Sequence, residues 1–349
     1  MPTMPKMTAR ERALTVFKYG TPDKTCFDLM EGTVWDSLGY YFRKNYGCER
    51  GEDILGLLDC DFRWSHLFGA DDALPETENE WTCHRSYADV LGGYPLAGVT
   101  TAAEVDRLFD PDASERPMPD FKAMRETYPD KALVFCVPWT PIFSGACGAF
   151  GMEEAMVKMA SEPEVFKAYA IKQSEYLVEY LRLAIKAGAG RYCDFFWTGD
   201  DFSDDRGLIP SPAMWRKLIR PYLEPVFRLA KENGMYTLFH SCGAVSDVYG
   251  DFIDMGIDAH IGVQTSGARM DIHTLAKRFG GKIIIFGGVD AQTTLVSDTP
   301  EQVERQVCIN IAAFERCGGY IVSNSHHGLP DIKGENIAAM VRAAGRALK

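Results

Sequence analysis

The chain has 349 residues and lacks several common signatures. It contains no Cys-x-x-Cys pair, no Gly-x-Gly-x-x-Gly loop, no Lys/Arg-rich run and no apolar stretch approaching the ~20 residues that cross a bilayer. The first absence, with ten cysteines at scattered spacings, argues against a disulfide framework and for reduced thiols, one or two of them available to a metal. The second argues against a dinucleotide-binding sheet. A net charge of −12 without basic clusters excludes nucleic acid and disfavours substrates carrying many carboxylates. The opening stretch, MPTMPKMTARERAL, has no apolar h-region, so a signal peptide is not expected and a cytoplasmic location is. What remains, 46% hydrophobic and 25% charged residues, is the balance of a soluble globular protein with no membrane association.

From about residue 130 onward, short apolar runs alternate with longer amphipathic ones. ALVFCVP (132–138), RYCDFFW (191–197), MYTLFH (235–240), IDAHIGV (257–263), KIIIFGGVD (282–290) and GYIVSNSHHG (319–328) read as strands. Helices are expected over 161–188, 211–234, 246–254, 271–280, 300–316 and from about 334 to the end. Pro221 and Pro225 should kink or split the 211–234 helix. This alternation means βα units and a parallel sheet. With CFDLMEG (26–32) as a first strand, the count favours a (β/α)₈ TIM barrel. Residues 1–25 form an N-terminal helical extension and 40–130 a less periodic elaboration with long loops. No linker or repeat divides residues 1–349, so one domain is expected.

In such barrels the working residues sit at the C-terminal strand ends. His240 ends one strand, and Cys242 follows it in FHSCGAV (239–245). Asp200 and Asp201 follow another strand, Asp290 a third, His326 and His327 the last, and Glu31 the presumed first. Imidazole nitrogen and thiolate sulfur are zinc donors, and a catalytic zinc site keeps an open position beside three protein ligands. His240 and Cys242 supply two of them. For the third, barrel geometry points to His326 or His327, whereas Cys317 falls between a helix and a strand, at the opposite rim. Each group also has a plainer reading: a core histidine beside a small thiol, aspartates capping helices, and loop histidines making local bonds. A nucleophilic Cys242 with His240 as its base is a further reading. His260 and His273 read as satisfied core or surface groups. Trp139, Phe143, Phe195, Phe196 and Trp197 lie near strand ends, as barrel core or as an apolar wall for a flat substrate.

FHSCGAV, FGGVDAQTTL (286–295), GTPDK (20–24) and GENIAAM (334–340) resemble the uroporphyrinogen decarboxylase superfamily over nearly the whole chain. The closest resemblance is to its corrinoid-dependent methyltransferase branch. That resemblance implies a barrel with Zn²⁺ at its C-terminal mouth, held by His-x-Cys and a third ligand ten residues before the Asn of a Glu-Asn motif. Here that Asn is Asn336, which selects His326. The coenzyme M enzymes of the branch place a cysteine there, so this chain departs from them. The exchange removes one anionic charge from the metal, which suits polarising an ether. The block GDDFSDDRGLIPSPAMWRKLIRPYLEP (199–225) is similar to the O-demethylase methyltransferases. The resemblance thus implies transfer of a methyl from a methoxylated, aromatic small molecule to a corrinoid (cobalamin) carried by a partner protein. Asp200, Asp201 and Asp290 would orient substrate or support the site, and Trp139, Phe143, Phe196 and Trp197 would line it. Methyl transfer to a thiol and a decarboxylase-like lyase are the alternatives. The decarboxylase's arginine motif has no counterpart in FDLMEGTVWDS (27–37). A homodimer is compatible with the sequence but not fixed by it.

Overall fold

The computed structural model of the chain describes residues 6–33, 36–69, 73–74, 93–137, 141–327 and 331–348. Three strands come first: β1 (Phe62–Trp64), β2 (Ala132–Cys136) and β3 (Phe195–Gly199). A two-residue antiparallel ribbon, β4 (Ser203–Asp204) with β5 (Gly207–Leu208), follows in the loop after β3. Then come β6 (Tyr236–His240), β7 (Ala259–Val263), β8 (Ile284–Val289) and β9 (Tyr320–Asn324). All but the ribbon form one parallel sheet in the order β1-β2-β3-β6-β7-β8-β9, with helices between successive strands.

The sheet curls. The ring of Phe62 on β1 lies 5.2 Å from that of Phe286 on β8, although four strands separate the two in sheet order. Alternation along each strand then sorts the side chains. Phe195 and Trp197 turn inward with Phe62, Leu238, Ile261 and Ile321. Phe196 turns outward, against Phe135 and Phe227, into the layer between sheet and helices. The N-terminal helix Ala9–Phe17 opens with a Thr8/Glu11 capping box. Its Phe17 ring packs 4.6 Å from Phe195 and 5.1 Å from Tyr236, the first residues of β3 and β6. The helix therefore stoppers the lower end of the interior, leaving the C-terminal mouth as the place for a site.

CFDLMEG does not form the expected strand. Phe27 makes a single parallel bridge to Val322, with Val322 N–H donating to Cys26 O (3.0 Å) and Asp28 N–H to Val322 O (3.1 Å). On the other side Asp61 N–H donates to Phe27 O (2.9 Å). The segment touches both edges of the sheet, then turns into a 3₁₀ helix at Met30–Gly32, so no longer ladder forms. Asp61 locks this seam. Its carboxylate pairs with Arg12 of the N-terminal helix and with Arg346 after the C-terminal helix, and accepts from Phe27 N–H (3.0 Å). The Arg12, Asp61 and Arg346 side chains are at most 4% exposed, and their charges are balanced inside the fold, with Asp23 on Arg12 (2.8 Å) and Asp59 on Arg346 (3.2 Å) completing the network.

The first sheet strand, β1, lies in the stretch where helical elaboration was expected. It has three residues, and its central Arg63 interrupts the apolar pattern. That arginine is buried on the outer face by a fork onto Glu52 (2.7 Å). The 191–197 strand begins later than expected, because Ala189–Tyr192 is a helical turn. The helix expected over 211–234 is split at Ile219 into Pro212–Leu218 and Arg220–Glu232, with Pro221 in the first turn of the second half and Pro225 inside it. Asp61→Asn should leave two buried guanidinium groups under-compensated and lower stability by about 3–5 kcal/mol, read as a shift in urea midpoint.

Candidate metal centre

β3 and β6 are in register, with Gly199 opposite His240, so the loops leaving them meet. Alternation on β6 turns His240 inward with Leu238 and Tyr236, and leaves the imidazole 3% exposed at the mouth. Its Nε2 lies 3.4 Å from Cys242 Sγ and 3.3 Å from Asp201 Oδ1. The donor atoms of Asp201, His240 and Cys242 all lie within 4.8 Å of one another, the one such group among the described residues. Zn–N of about 2.0 Å and Zn–S of about 2.3 Å in a tetrahedron imply ligand–ligand edges of roughly 3.3–3.6 Å. Two edges of this trio already have that length, so the residues fit a zinc-sized ion.

The backbone from His240 to Ala244 is held by its neighbours. His240 O accepts from Asp200 N–H (3.0 Å), and Cys242 N–H donates to Asp201 Oδ1 (2.7 Å). Cys242 O accepts from Ser203 Oγ, Gly243 N–H donates to Gln264 Oε1, and Ala244 N–H donates to Asp204 O (2.8 Å). Gly243 has φ +82°, and a Cβ there would meet Asp204 O and Ser203 Oγ at 2.7 Å. Gly262, at a bulge of β7, has φ +77° and lies under the imidazole, where a Cβ would sit 2.9 Å from His240 Cε1 and Nδ1.

On its far side, His240 Nδ1 lies 3.4 Å from Glu31 Oε1. Glu31 takes φ 55°, a left-handed conformation rare outside glycine, and is 5% exposed. Burial pushes its carboxyl up to about 7, against the pull of His240. A carboxylate behind a metal-binding histidine fixes which nitrogen carries the proton. Here the contact with Glu31 is an ion-pair distance, and the other nitrogen, Nε2, faces Asp201 and Cys242. Burial disfavours charge on His240, but Cys242 and Asp201 outweigh it and raise the imidazole pKa well above its ordinary value. Burial also raises the Cys242 thiol. Asp201 would be raised by burial, but His240 and the Cys242 N–H hold it at about 2.

The two histidines after β9 differ. His327 is engaged at both nitrogens, Nδ1 with Thr33 Oγ1 (2.9 Å) and Nε2 with Glu31 Oε2 (3.4 Å). His326 Nδ1 is buried without a hydrogen-bond partner. Its backbone carbonyl accepts from Asn324 Nδ2, and Asn324 Oδ1 accepts from Met30 N–H (2.9 Å), tying this loop to the Glu31 turn. Asp201, not His326, occupies the third compact position; the His326 ring lies 5.4 Å from that of His327, which lies 6.5 Å from that of His240. Cys317 packs against Gly280 ahead of β8, at the opposite rim.

The uroporphyrinogen decarboxylase family model matches residues 92–347. The chain belongs to the uroporphyrinogen decarboxylase family. Among curated relatives, the uroporphyrinogen decarboxylase of Chlorobaculum parvum is 24% identical over 270 residues, covering 70% of this chain and 69% of that protein. That of Aliivibrio salmonicida is 26% identical over 261 residues, covering 70% and 68%. Among solved structures, a methyltransferase from Methanosarcina mazei superposes over 97% of this chain and 99% of its own, with a TM-score of 0.69 at 16% identity. That similarity shows a shared fold.

The fold brings Asp201, His240 and Cys242 together and sends other candidates elsewhere. Asp200 is fully buried and caps the helix Phe143–Phe150, accepting from Phe143 N–H (2.8 Å) and Ser144 N–H (3.0 Å). Asp290 caps the Thr294–Ser297 turn through Thr293 N–H (2.8 Å). Phe143 and Phe196 belong to the sheet–helix layer, and Trp197 faces the interior beside Glu31. Trp139 lies outside the described residues. His260 is a satisfied core group. Sequence reasoning missed His66, which follows β1 at the mouth with Nδ1 3.3 Å from Cys136 Sγ. Locating β1 first would have exposed it.

Two outcomes follow from this geometry. Gly262→Ala should displace His240, lower Zn²⁺ affinity at least tenfold in a chelator competition, and reduce stability by about 1–2 kcal/mol in urea. Both His240 and Cys242 have raised pKa values and hold their protons near neutrality, while a metal takes the deprotonated forms. Metal affinity should therefore climb as pH rises towards the ordinary thiol value of 9. Calorimetry in buffers of different ionisation enthalpy should show net proton release at pH 7, and zero release would contradict the assignment.

Proposed function

We propose that this chain is a zinc-dependent methyltransferase that moves a methyl group from a methoxylated, aromatic small molecule to the cob(I)alamin of a separate corrinoid protein. The observation that carries the reading is the compact S, N, O trio of Cys242, His240 and Asp201 at the C-terminal strand ends. Sulfur with nitrogen selects a borderline-soft ion such as Zn²⁺ over Mg²⁺ or Ca²⁺. Such an ion supplies Lewis-acid stabilisation of the negative charge that develops on the leaving ether oxygen. The closed barrel of eight strands implied by the family belongs to the same proposal, with residues 26–28 as the eighth.

The chain's own groups do the rest. Glu31 stands behind His240 as an ion-pair partner, its Oε1 3.4 Å from Nδ1. Asp201 grips the Cys242 N–H and thereby sets the direction of Sγ. If Asp201 and Cys242 are the two anionic donors, a divalent ion carries no net charge. If His326 takes the place of Asp201, one positive charge remains, which polarises an ether more strongly. Trp197 offers an apolar face at the floor of the mouth, suited to an aromatic ring. The helix Ala9–Phe17 closes the opposite end, so a corrinoid partner has one approach, from above.

The decarboxylase names of the curated relatives favour a second reading, a metal-independent lyase acting on a cyclic tetrapyrrole. Among the described residues, however, no Lys or Arg pairs with Glu31, Asp200 or Asp201, and propionates at such a mouth would meet repulsion. The deciding assay adds a reduced corrinoid protein and a panel of methoxyaromatics, methanol, methylamines and thiols. Cobalt absorbance should change with a methoxyaromatic, and Cys242→Ala should lose both the bound zinc and that change. A zinc-free, fully active enzyme, or decarboxylation of a tetrapyrrole instead, would overturn the reading.

A further inference from the structure

His240 and Cys242 flank one residue, Ser241, whose carbonyl points outward through the sheet. It is met there by His260 Nε2 at 2.9 Å. Since a carbonyl only accepts, His260 Nε2 carries the proton and donates. Its Nδ1 is then an acceptor, and Tyr249 Oη lies 2.7 Å from it as the donor. Tyr249, His260 and Ser241 are each 0% exposed, so no water competes for these bonds. His260 sits on β7, one residue out of phase with the inward-facing Ala259 and Ile261, and so reaches the loop from behind the sheet. Tyr249 opens the helix Tyr249–Asp254, and its ring lies against both His260 (5.4 Å) and Phe279 (4.8 Å).

The trio itself is fixed on its mouth side by Asp201, Ser203 and Gln264, which hold Cys242 and Gly243. None of these reaches Ser241. Asp200 N–H holds the His240 carbonyl, and the next carbonyl, that of Ser241, is held from the other side of the sheet. Burial keeps the His260 ring neutral, with its pKa lowered to about 3, so one tautomer persists across the working pH range.

We propose that the buried Tyr249–His260 pair is a positioning device for the His-x-Cys loop, holding the Ser241 carbonyl so that His240 Nε2 and Cys242 Sγ converge on one ion. This rests on the metal reading above. His260 touches neither substrate nor metal and acts through the loop. Outer partners of this kind contribute roughly 10–100-fold to metal affinity.

The test measures Zn²⁺ affinity by chelator competition, and the visible spectrum of the Co²⁺-loaded protein, in wild type, His260→Leu, His260→Gln and Tyr249→Phe. Urea midpoints are taken in parallel on the metal-free proteins. His260→Leu should weaken Zn²⁺ binding 10–100-fold and alter the sulfur-to-cobalt band. His260→Gln, which keeps an N–H donor, should recover most of the affinity, and Tyr249→Phe should fall between. A lowered urea midpoint with wild-type affinity and spectrum in His260→Leu would make the pair purely structural and overturn this proposal alone. A wild-type chain that binds neither ion would overturn it together with the metal reading. If His260→Leu does not fold, the comparison of His260→Gln with Tyr249→Phe decides: unchanged affinity and spectrum in Tyr249→Phe would overturn it.

Discussion

Everything at the mouth is organised around one buried imidazole. His240 has a carboxylate on each side and a thiol beside it: Glu31 at Nδ1, Asp201 and Cys242 at Nε2. An aqueous histidine would have no reason to collect such neighbours, and burying several ionisable groups together costs free energy unless their charges are balanced. The divalent ion proposed above would balance them, replacing the protons on His240 and Cys242. The strand register imposes the arrangement, because Gly199 opposite His240 leaves the β3 and β6 loops nowhere else to go. Asp201 then does two things. It takes the Cys242 N–H, and it offers its carboxylate to the same cluster.

The parallel βα pattern was legible from residue 130 onward, because those strands are five- or six-residue buried runs separated by amphipathic helices. The split at Pro221 was legible for the same kind of local reason, a missing N–H and a fixed φ. β1 was not legible. Three residues with Arg63 in the middle carry no period, and only the fork onto Glu52 explains a charged residue there. The segment 26–32 looked like a strand by composition, but its fate depends on Asp61 and Val322, which are remote in sequence. At the site, His240 and Cys242 could be placed because they end a recognisable strand. The roles of Asp200 and Asp201 could not be separated by sequence, since adjacent residues on an extended backbone point opposite ways. One turns to cap the helix Phe143–Phe150 and the other turns to the mouth. His326 and His327 split similarly, and the partners that engage His327, Thr33 and Glu31, come from nearly three hundred residues away.

The seam and the site are the same piece of chain. Phe27 is held by Asp61, whose carboxylate also gathers Arg12 and Arg346. Four residues on, Glu31 stands in a left-handed conformation that costs of order 1–2 kcal/mol for a residue with a side chain. That cost is sustained only if the flanks cannot relax. They are held by Met30 N–H on Asn324 Oδ1 (2.9 Å), by Thr33 Oγ1 on Met30 O (2.8 Å), and by the close approach of Gly32 to Trp64, where a Cβ would meet the indole at 2.8 Å. The two ends of the sheet must therefore be joined before Glu31 can reach His240 Nδ1. The seam between the two sheet edges and the placement of Glu31 beside His240 share one stretch of chain, and the irregular backbone at 26–33, too short to read as a strand, is what couples them.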